Sequence, residues 1–311
     1  MSLERALDVA ARAGGRGYPK PTVGAVLVSE GQVVGEGATD AAGRHGEIAA
    51  LAEAGERASG ATLYVTMEPC AHHGTTPPCV DAIVAAGVAK VVAASLDPNP
   101  EAAGGLERLH SAGVAVELDD RFEARQQNEA WRRWVASGRP FVTYKAAVTL
   151  DGRVTVPGSR WVSGEESRRL VHELRAASDA VAVGMGTVRL ENPRLDARDV
   201  PVTRQPRRLA IGSGPLPEGS ELELRSGPLD EELHALATEG VQSLLLEGGP
   251  TLAGAFLRAD LVDKLLLFVA PTLAGAGPGL LDRLELPREA TRLTARPVGA
   301  DLLLEGYLRE P

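Results

Sequence analysis

Hydrophobic positions in the first 136 residues alternate between the spacing of helices and the spacing of strands. Leu3, Leu7 and Ala10 recur every three to four residues, which predicts a helix with one apolar face. Short apolar runs bounded by glycine, proline and polar residues predict strands. Strands are expected at 23–28, around 33, and at 61–67, 90–95 and 114–118, with further helices from 47, from 80, near 106 and over 121–136. This alternation predicts a layered α/β domain.

A second alternating pattern follows Ser137, Gly138 and Pro140, which are residues typical of a domain boundary. Strands are expected at 141–149, 180–183, 208–211, 243–246, 264–269 and 302–304, and helices at 165–176, 231–238 and from 251. At about 100 to 200 residues per domain, a chain of 311 residues favours two domains. We therefore predict domains over residues 1–138 and 139–311, both of the α/β class.

Composition and charge exclude several functional classes. Hydrophobic residues make up 44% of the chain and charged residues 24%, values typical of a folded globular protein. The formal net charge of −9 disfavours a large nonspecific nucleic-acid surface. An anionic substrate must therefore be bound by a local group of arginines or lysines.

Targeting and membrane segments are not expected. The first 13 residues contain Glu4 and Asp8 and no apolar run, so they resemble neither a signal nor a transit peptide, and the predicted location is the cytoplasm. The apolar stretch 265–281 is interrupted by Pro271 and Pro278 and is shorter than the about 20 residues of a membrane-spanning helix. It is predicted to be a buried strand followed by a loop.

Three side chains that can bind a metal stand at ends of predicted elements. His45 precedes a helix, Cys70 follows a strand, and Cys79 begins the next helix. Cys70 and Cys79 are the two cysteines of the chain, so a disulfide framework is not expected. One imidazole and two thiolates suit Zn²⁺, and three protein ligands leave one tetrahedral position open, as in catalytic zinc sites.

Glu47 lies two residues after His45, on the first turn of the predicted helix. A carboxylate there can carry a proton from the attacking water to a leaving amine. Taken alone, a His-x-Glu triplet is more often a chance feature, and two cysteines are more often small buried hydrophobes. The order of these residues and the Pro-Cys context favour a catalytic zinc instead. His72 and His73, between the cysteines, either line the pocket or lie in a solvated loop, and we place them outside the metal site.

The segment His45-Gly46-Glu47, followed by Pro69-Cys70 and Cys79, resembles the signature of the cytidine deaminase superfamily, with a longer insert between the cysteines. The run 66–79, with the stretches 21–26 and 97–100, resembles the bifunctional deaminase/reductase family of riboflavin biosynthesis. The resemblance implies a cytidine-deaminase-like three-layer domain at the N-terminus.

Residues 141–311 resemble the reductase half of the same family, which is similar in fold to dihydrofolate reductase. The resemblance rests on Lys145-Ala146-Ala147, the runs 149–153, 159–161, 174–176, 183–188 and 193–195, and Glu247-Gly248-Gly249-Pro250-Thr251-Leu252. In the last motif a strand ends and Pro250 opens a helix whose free N–H groups can bind a cofactor phosphate. On its own, Gly-Gly-Pro is more often an ordinary turn.

The resemblance implies Zn²⁺ and NADPH as cofactors and assigns residues to the second. Contacts with NADPH are implied for Ala147, Trp161, Thr187, Glu191, Ser213, Gly249, Pro250, Thr251, Leu252, Ala253, Gly254 and Ala255. Contacts with a sugar-phosphate substrate are implied for Ser159, Arg175, Leu195, Arg198 and Glu247. Arginine suits that task because its planar fork matches phosphate oxygens, although outside these motifs an arginine is more often a solvated surface charge.

Three of the departures from the family pattern bear on substrate or cofactor binding. Lys20 replaces an asparagine expected to contact the deaminase substrate, and Thr75 replaces a basic residue of the insert. Our hypothesis is that Lys20 contacts the substrate and supplies the charge absent at Thr75. Glu191 replaces an aspartate expected near the cofactor.

The sequence thus predicts zinc-dependent deamination of 2,5-diamino-6-ribosylamino-4(3H)-pyrimidinone 5′-phosphate, followed by NADPH-dependent reduction of the ribosyl group to a ribityl chain. The resemblance also implies a homo-oligomer, and no nucleic-acid or membrane partner is expected. One alternative is a paralogue acting on a related pyrimidine or pterin precursor, favoured by the changes at 20, 75 and 191. Another is a reductase with an inactive, zinc-stabilised deaminase domain, which a fourth protein ligand would favour. A polynucleotide base deaminase is disfavoured by the net charge.

Overall fold

The computed structural model describes residues 2–14, 18–73, 77–281, 284 and 286–311. Contacts along the chain divide it into two compact units, residues 1–137 with residue 311, and residues 138–310. Among the described residues, no helix combines the length and the apolar character needed to span a bilayer.

The first unit is built on a five-stranded sheet in the order β2-β1-β3-β4-β5. Its strands are β1 (Gly24–Ser29), β2 (Gln32–Ala38), β3 (Thr62–Val65), β4 (Lys90–Ala93) and β5 (Ala115–Leu118). Its helices are α1 (Ser2–Ala13), α2 (Gly46–Ala54), α3 (Cys79–Ala85), α4 (Gly105–Ser111), α5 (Phe122–Gln126) and α6 (Glu129–Ser137), with a 3₁₀ turn at Gly55–Ala58. Strand β1 is antiparallel to β2 and β3, whereas β3, β4 and β5 are parallel.

Helices cover both faces of this sheet. On one face, Leu27 and Leu63 pack with Ile83 of α3 and with α2. On the other face, α1 packs its apolar side on Val26 and Val92. Burial on both faces explains why the strands carry apolar residues at successive positions. The predicted three-layer arrangement is confirmed.

Residues 121–136 form two helices where the sequence predicted one. Helix α5 ends at Gln126 and α6 begins at Glu129. Between them, the buried Asn128 side chain hydrogen-bonds the backbone of Thr22, a residue 106 positions away. This tertiary contact stabilises the interruption, because an asparagine amide satisfies backbone groups outside the helix.

The second unit contains an eight-stranded sheet in the order β12-β13-β11-β6-β10-β7-β8-β9. Its strands are β6 (Phe141–Thr149), β7 (Ala180–Gly184), β8 (Arg207–Ile211), β9 (Glu223–Arg225), β10 (Ser243–Leu246), β11 (Lys264–Ala270), β12 (Thr291–Val298) and β13 (Asp301–Tyr307). Its helices are α7 (Glu165–Ala177), α8 (Met185–Glu191), α9 (Leu229–Thr238) and α10 (Pro250–Arg258).

Six strands of this sheet, β6 to β11, run parallel, and β13 and β12 add an antiparallel edge. The carboxyl ends of the parallel strands therefore lie along one edge, where ligands bind in open α/β sheets. Helix α8 and strands β9 and β12 were absent from the sequence prediction. Strand β12 is exposed at seven of its eight positions, so it lacks the apolar periodicity of the buried strands.

Candidate active sites

The structure brings His45, Cys70 and Cys79 together in the first unit, with their ligand atoms within 4.8 Å of one another. His45 Nδ1 lies 3.2 Å from Cys79 Sγ and 3.7 Å from Cys70 Sγ. The three residues come from the start of α2, the loop after β3 and the start of α3. In the part of the chain that the structure describes, this cluster has three members, so one position of a tetrahedral metal stays open.

The two thiols differ in their proton affinity because they interact with each other. The hydrogen bond from Cys79, together with that from His45, lowers the pKa of the Cys70 thiol to about 4. The same hydrogen bond and burial raise the pKa of the Cys79 thiol. The Cys79 backbone N–H also donates to Cys70 Sγ, at 3.3 Å. The lowered pKa favours the thiolate form of Cys70, which is the form that binds zinc.

Glu47 is buried on the first turn of α2, with 3% of its surface exposed. Burial raises the pKa of its carboxyl group, which disfavours the charged form. Within the described ranges, its Oε2 atom finds no hydrogen-bond partner. An unpaired buried carboxylate oxygen beside a His/Cys₂ cluster fits a site where a metal ion and a water molecule bind.

A cavity of about 270 Å³ opens at this cluster. Lys20 and His72 line it, whereas His73 is exposed. Thr75 lies outside the described residues. Glycine is required at residue 46, between His45 and Glu47, because a Cβ there would lie 2.4 Å from the Val23 carbonyl oxygen. Val23 lines the same cavity.

Asp97, Asn99 and Trp131 also line the cavity, and sequence reasoning did not assign them to the site. Burial raises the pKa of Asp97 to about 6. Its Oδ1 accepts the Asn99 backbone N–H at 2.8 Å, and its own backbone N–H donates to Glu68 Oε2 at 3.2 Å. The Asp-Pro-Asn-Pro run at 97–100 was the available sequence signal, whereas the position of Trp131 depends on the path of α6.

The second unit contains a buried charged cluster around Glu247. Arg175 donates from Nε and Nη2 to the two Glu247 carboxylate oxygens, at 2.6 and 2.9 Å. Lys145 Nζ lies 3.9 Å from Glu247 Oε2, because Leu246 pairs with Tyr144 in the parallel strands β10 and β6 and the next residues are neighbours. Burial lowers the pKa of Lys145, and although burial opposes ionisation of Glu247, Arg175 and Lys145 keep its pKa below the ordinary value.

The residues predicted to bind the sugar phosphate fall into two groups. Arg175 and Arg198 meet at Asp196: Arg175 Nη1 donates to the Asp196 carbonyl at 3.2 Å, and Arg198 Nη1 donates to its carboxylate at 2.8 Å. Leu195, next to this residue, is buried. Ser159 instead forms a local turn, its Oγ donating to the Trp161 carbonyl at 2.8 Å. No hydrogen bond among the described residues joins this turn to Arg175 or Glu247.

The residues predicted to bind the cofactor lie mainly at the carboxyl ends of β7, β8 and β10. Thr187 is in α8, Ser213 follows β8, and Gly249 precedes α10. A Cβ at Gly249 would lie 3.8 Å from Thr187 Oγ1, so these two segments are adjacent. Pro250 occupies the first turn of α10, as expected. Ala253 belongs to the hydrophobic core, so its methyl group faces the protein interior.

The other predicted cofactor residues differ in exposure. Trp161 is half exposed, and the Arg160 and Arg168 guanidinium groups lie 4.8 and 5.3 Å from its ring centroid. Glu191 ends α8 and is exposed, whereas Ala147 on β6 is partly buried. Of the remaining α10 residues, Thr251 is exposed, Leu252 and Ala255 are partly buried and Gly254 is buried.

Two family models match this chain, one in each of its two units. Residues 2–95 match the cytidine and deoxycytidylate deaminase zinc-binding region, and residues 140–304 match the RibD C-terminal domain. Fold and site together define a two-domain enzyme with a zinc-binding deaminase domain and a reductase domain. The chain belongs to the RibD family of riboflavin biosynthesis proteins.

Individual relatives match almost the whole chain. The riboflavin biosynthesis protein RibD of Aquifex aeolicus is 39% identical over 90% of this chain and 89% of its own length. RibD of Escherichia coli is 37% identical over 97% of both chains. Among solved structures, Acinetobacter baumannii RibD superposes with a TM-score of 0.86 at 33% identity, covering 98% of this chain and 97% of that one. A Thermotoga maritima diaminohydroxyphosphoribosylaminopyrimidine deaminase/5-amino-6-(5-phosphoribosylamino)uracil reductase gives 0.82 at 31% identity, with the same coverage. The predicted fold class and bifunctional activity are confirmed.

Proposed function

We propose that this chain acts on 2,5-diamino-6-ribosylamino-4(3H)-pyrimidinone 5′-phosphate, first removing its 2-amino group by hydrolysis and then reducing the ribosyl group to a ribityl chain with NADPH. The observation that carries the proposal is the convergence of His45, Cys70 and Cys79 beside the buried, unpaired Oε2 of Glu47. The bifunctional name of the Thermotoga maritima protein supports the pairing of the two reactions.

In the deaminase unit, His45, Cys70 and Cys79 would hold Zn²⁺. The ion, when bound, acidifies a water molecule so that hydroxide is available near pH 7. Glu47 takes the proton of the attacking water and delivers it to the departing amine. A C–O bond forms at ring carbon 2, the exocyclic C–N bond breaks, and ammonia leaves. The raised pKa of Glu47 suits a group that must both accept and return a proton.

Around the deaminase centre, cavity residues bind the substrate. Lys20 supplies a cation that can pair with the substrate phosphate, and Asp97 and Asn99 offer hydrogen-bonding groups to the pyrimidine. Trp131 supplies an aromatic wall. A mostly apolar pocket with a few polar groups is the usual form of a small-molecule site.

In the reductase unit, the N–H groups at the start of α10 and the adjacent Thr187 and Ser213 segments would hold NADPH. The cofactor, when bound, supplies the hydride that reduces sugar carbon 1′. Reduction also breaks the bond between carbon 1′ and the ring oxygen, and that oxygen must gain a proton. We assign this proton to Lys145, because burial lowers its pKa and it lies beside Glu247, which is predicted to touch the substrate. Arg198 and Arg175 would bind the phosphate.

The family resemblance supports a cytoplasmic homo-oligomer. The position of β12 at one end of the sheet order also supports it, since an edge strand offers backbone groups to a second copy. Size-exclusion chromatography with light scattering tests the assembly, and a monomer at all concentrations would contradict it.

The test of the two activities is mass spectrometry of the proposed substrate after incubation with purified, zinc-loaded protein, with and without NADPH. We expect exchange of an amine for an oxo group in both samples and addition of two hydrogens only with NADPH. If neither change occurs but a related pyrimidine or pterin precursor is converted, the enzyme is the paralogue that Lys20 favours. If only the reduction occurs, on supplied deaminated substrate, the deaminase domain is inactive.

A further inference from the structure

One helix is fastened to two loops of the deaminase cavity. At the start of α6, the buried Asn128 amide accepts the Thr22 backbone N–H at 2.8 Å and donates to the Thr22 carbonyl at 2.9 Å. Thr22 lies between Pro21 and Val23, and both of these line the cavity. The Asn128 amide thus hydrogen-bonds both backbone groups of Thr22, which lies between two cavity residues.

The second loop is held one turn further along the same helix. Arg132 Nη1 donates to the Leu96 carbonyl at 2.8 Å. Leu96 directly precedes Asp97, which lines the cavity together with Lys20 and His45. Between the two attachments, Trp131 presents its own side chain to the cavity.

Neither Asn128 nor Arg132 is among the described residues that line the cavity. Their hydrogen bonds act on the cavity through the backbone of the two loops, and the charge of Arg132 in addition opposes the rise in the pKa of Asp97. Connecting loops are ordinarily the more mobile parts of a fold, and loop positions near a reacting centre must hold within a fraction of an ångström. The two attachments set the positions of both loops relative to one rigid helix.

We infer that Asn128 and Arg132 are positioning residues of the deaminase site. Through their bonds to Thr22 and Leu96, they fix the positions of the Lys20–Val23 and Asp97–Asn99 segments relative to Trp131. This inference rests on the deaminase function proposed above. It requires asparagine at 128, because the side chain must both donate and accept. Aspartate keeps the acceptor, loses the donor and places a carboxylate beside the Thr22 carbonyl.

The test compares Asn128→Asp and Arg132→Met with a matched control, Gln127→Glu. Gln127 is the neighbouring amide, and it donates to the Leu7 carbonyl of α1 at 2.8 Å, away from the cavity.

We expect the two test variants to raise the deaminase KM about ten- to hundred-fold, the scale on which small misplacements act. Deaminase kcat should change much less, and zinc content and reductase activity should stay at the wild-type level. The control should match wild type, and Arg132→Lys, which keeps a donor, should recover part of the loss.

Binding is measured separately, by calorimetric titration of the proposed substrate into Glu47→Gln protein with and without Asn128→Asp, so that turnover does not enter. Weaker binding at full zinc content supports the inference. KM values within twofold of wild type for both variants overturn it, as does a parallel loss of zinc and kcat, which would indicate a purely structural role. If Asn128→Asp does not fold, the deaminase KM of Arg132→Met decides whether the inference holds. Absence of deaminase turnover in the wild-type protein would instead reject the proposed function.

Discussion

Arg175 and Glu247 lie 72 positions apart in the sequence and form a two-point ion pair, with Nε and Nη2 donating to the two carboxylate oxygens at 2.6 and 2.9 Å. Both side chains are mostly buried. A buried carboxylate is costly unless it is paired, and here Lys145 adds a second cation. The cluster therefore carries an excess positive charge at the carboxyl end of β10, where an anionic substrate would bind.

Replacing Lys145 tests its role as the proton donor. Lys145→Met should lower reductase kcat at least about hundredfold, the usual scale for loss of a general acid, while NADPH affinity measured by fluorescence titration stays unchanged. The matched control is Lys264→Met, because Lys264 is also a buried lysine of this sheet and lies 2.9 Å from Glu305. Equal losses in both variants would show that the effect is one of stability.

Replacing one of the proposed metal ligands should separate the two activities. Cys79→Ser is expected to lower zinc content, measured by atomic absorption, and to abolish deamination, because the remaining pair of ligands binds zinc weakly. Reduction of supplied deaminated substrate should stay within about twofold of wild type, since the Arg175–Glu247 cluster lies in the other unit. A chelator should reproduce this pattern in the wild-type enzyme. Loss of both activities would contradict the separation.

Glu47→Gln removes the proposed proton carrier and keeps the shape of the side chain. We expect deaminase kcat to fall about 10²- to 10⁴-fold, the contribution typical of general acid–base catalysis. Zinc content should stay at one per chain, because Glu47 is outside the His45, Cys70 and Cys79 cluster. Steady-state kinetics with metal analysis on the same samples checks both statements, and wild-type kcat would exclude Glu47 from proton transfer.

The stability of the second unit should depend on Asp151. The Thr149 hydroxyl and the Ala274 and Gly275 N–H groups donate to its carboxylate and lower its pKa below the ordinary value. An acid with a lowered native pKa stabilises the fold above its unfolded pKa of about 3.9, and this contribution is lost as the pH falls through the native pKa. Asp151→Asn should therefore melt below wild type at pH 7, with the difference shrinking below about pH 4.

Thermal unfolding from pH 7 to pH 3 checks this prediction, with Glu218→Gln, in an exposed loop of the same unit, as the control. The control should give the same Tm as wild type at each pH. A difference between Asp151→Asn and wild type that does not vary with pH would show that the charge of Asp151 is not involved.

Local sequence patterns were sufficient to predict most helices and strands and to single out the residues that converge in the His45, Cys70 and Cys79 cluster. The apolar residues of α1, β1 and β6 recur according to which face of the element is buried. This periodicity lies within a few consecutive residues, so the sequence shows it directly. His45, Glu47, Cys70 and Cys79 stand at the ends of such elements in an order that itself indicates zinc chemistry.

Tertiary structure decided what depends on contacts between distant residues. The bonds of Asn128 to Thr22 stabilise the break between α5 and α6, and Trp131 lines the cavity from α6, which begins after that break. Lys145 joins Glu247 through the register of β6 with β10, a pairing that no local pattern encodes. The ability to bind a metal is a property of single side chains. The positions of the cavity residue Trp131 and of the proposed proton donor Lys145 are instead set by the hydrogen bonds and strand pairing that bring remote segments together.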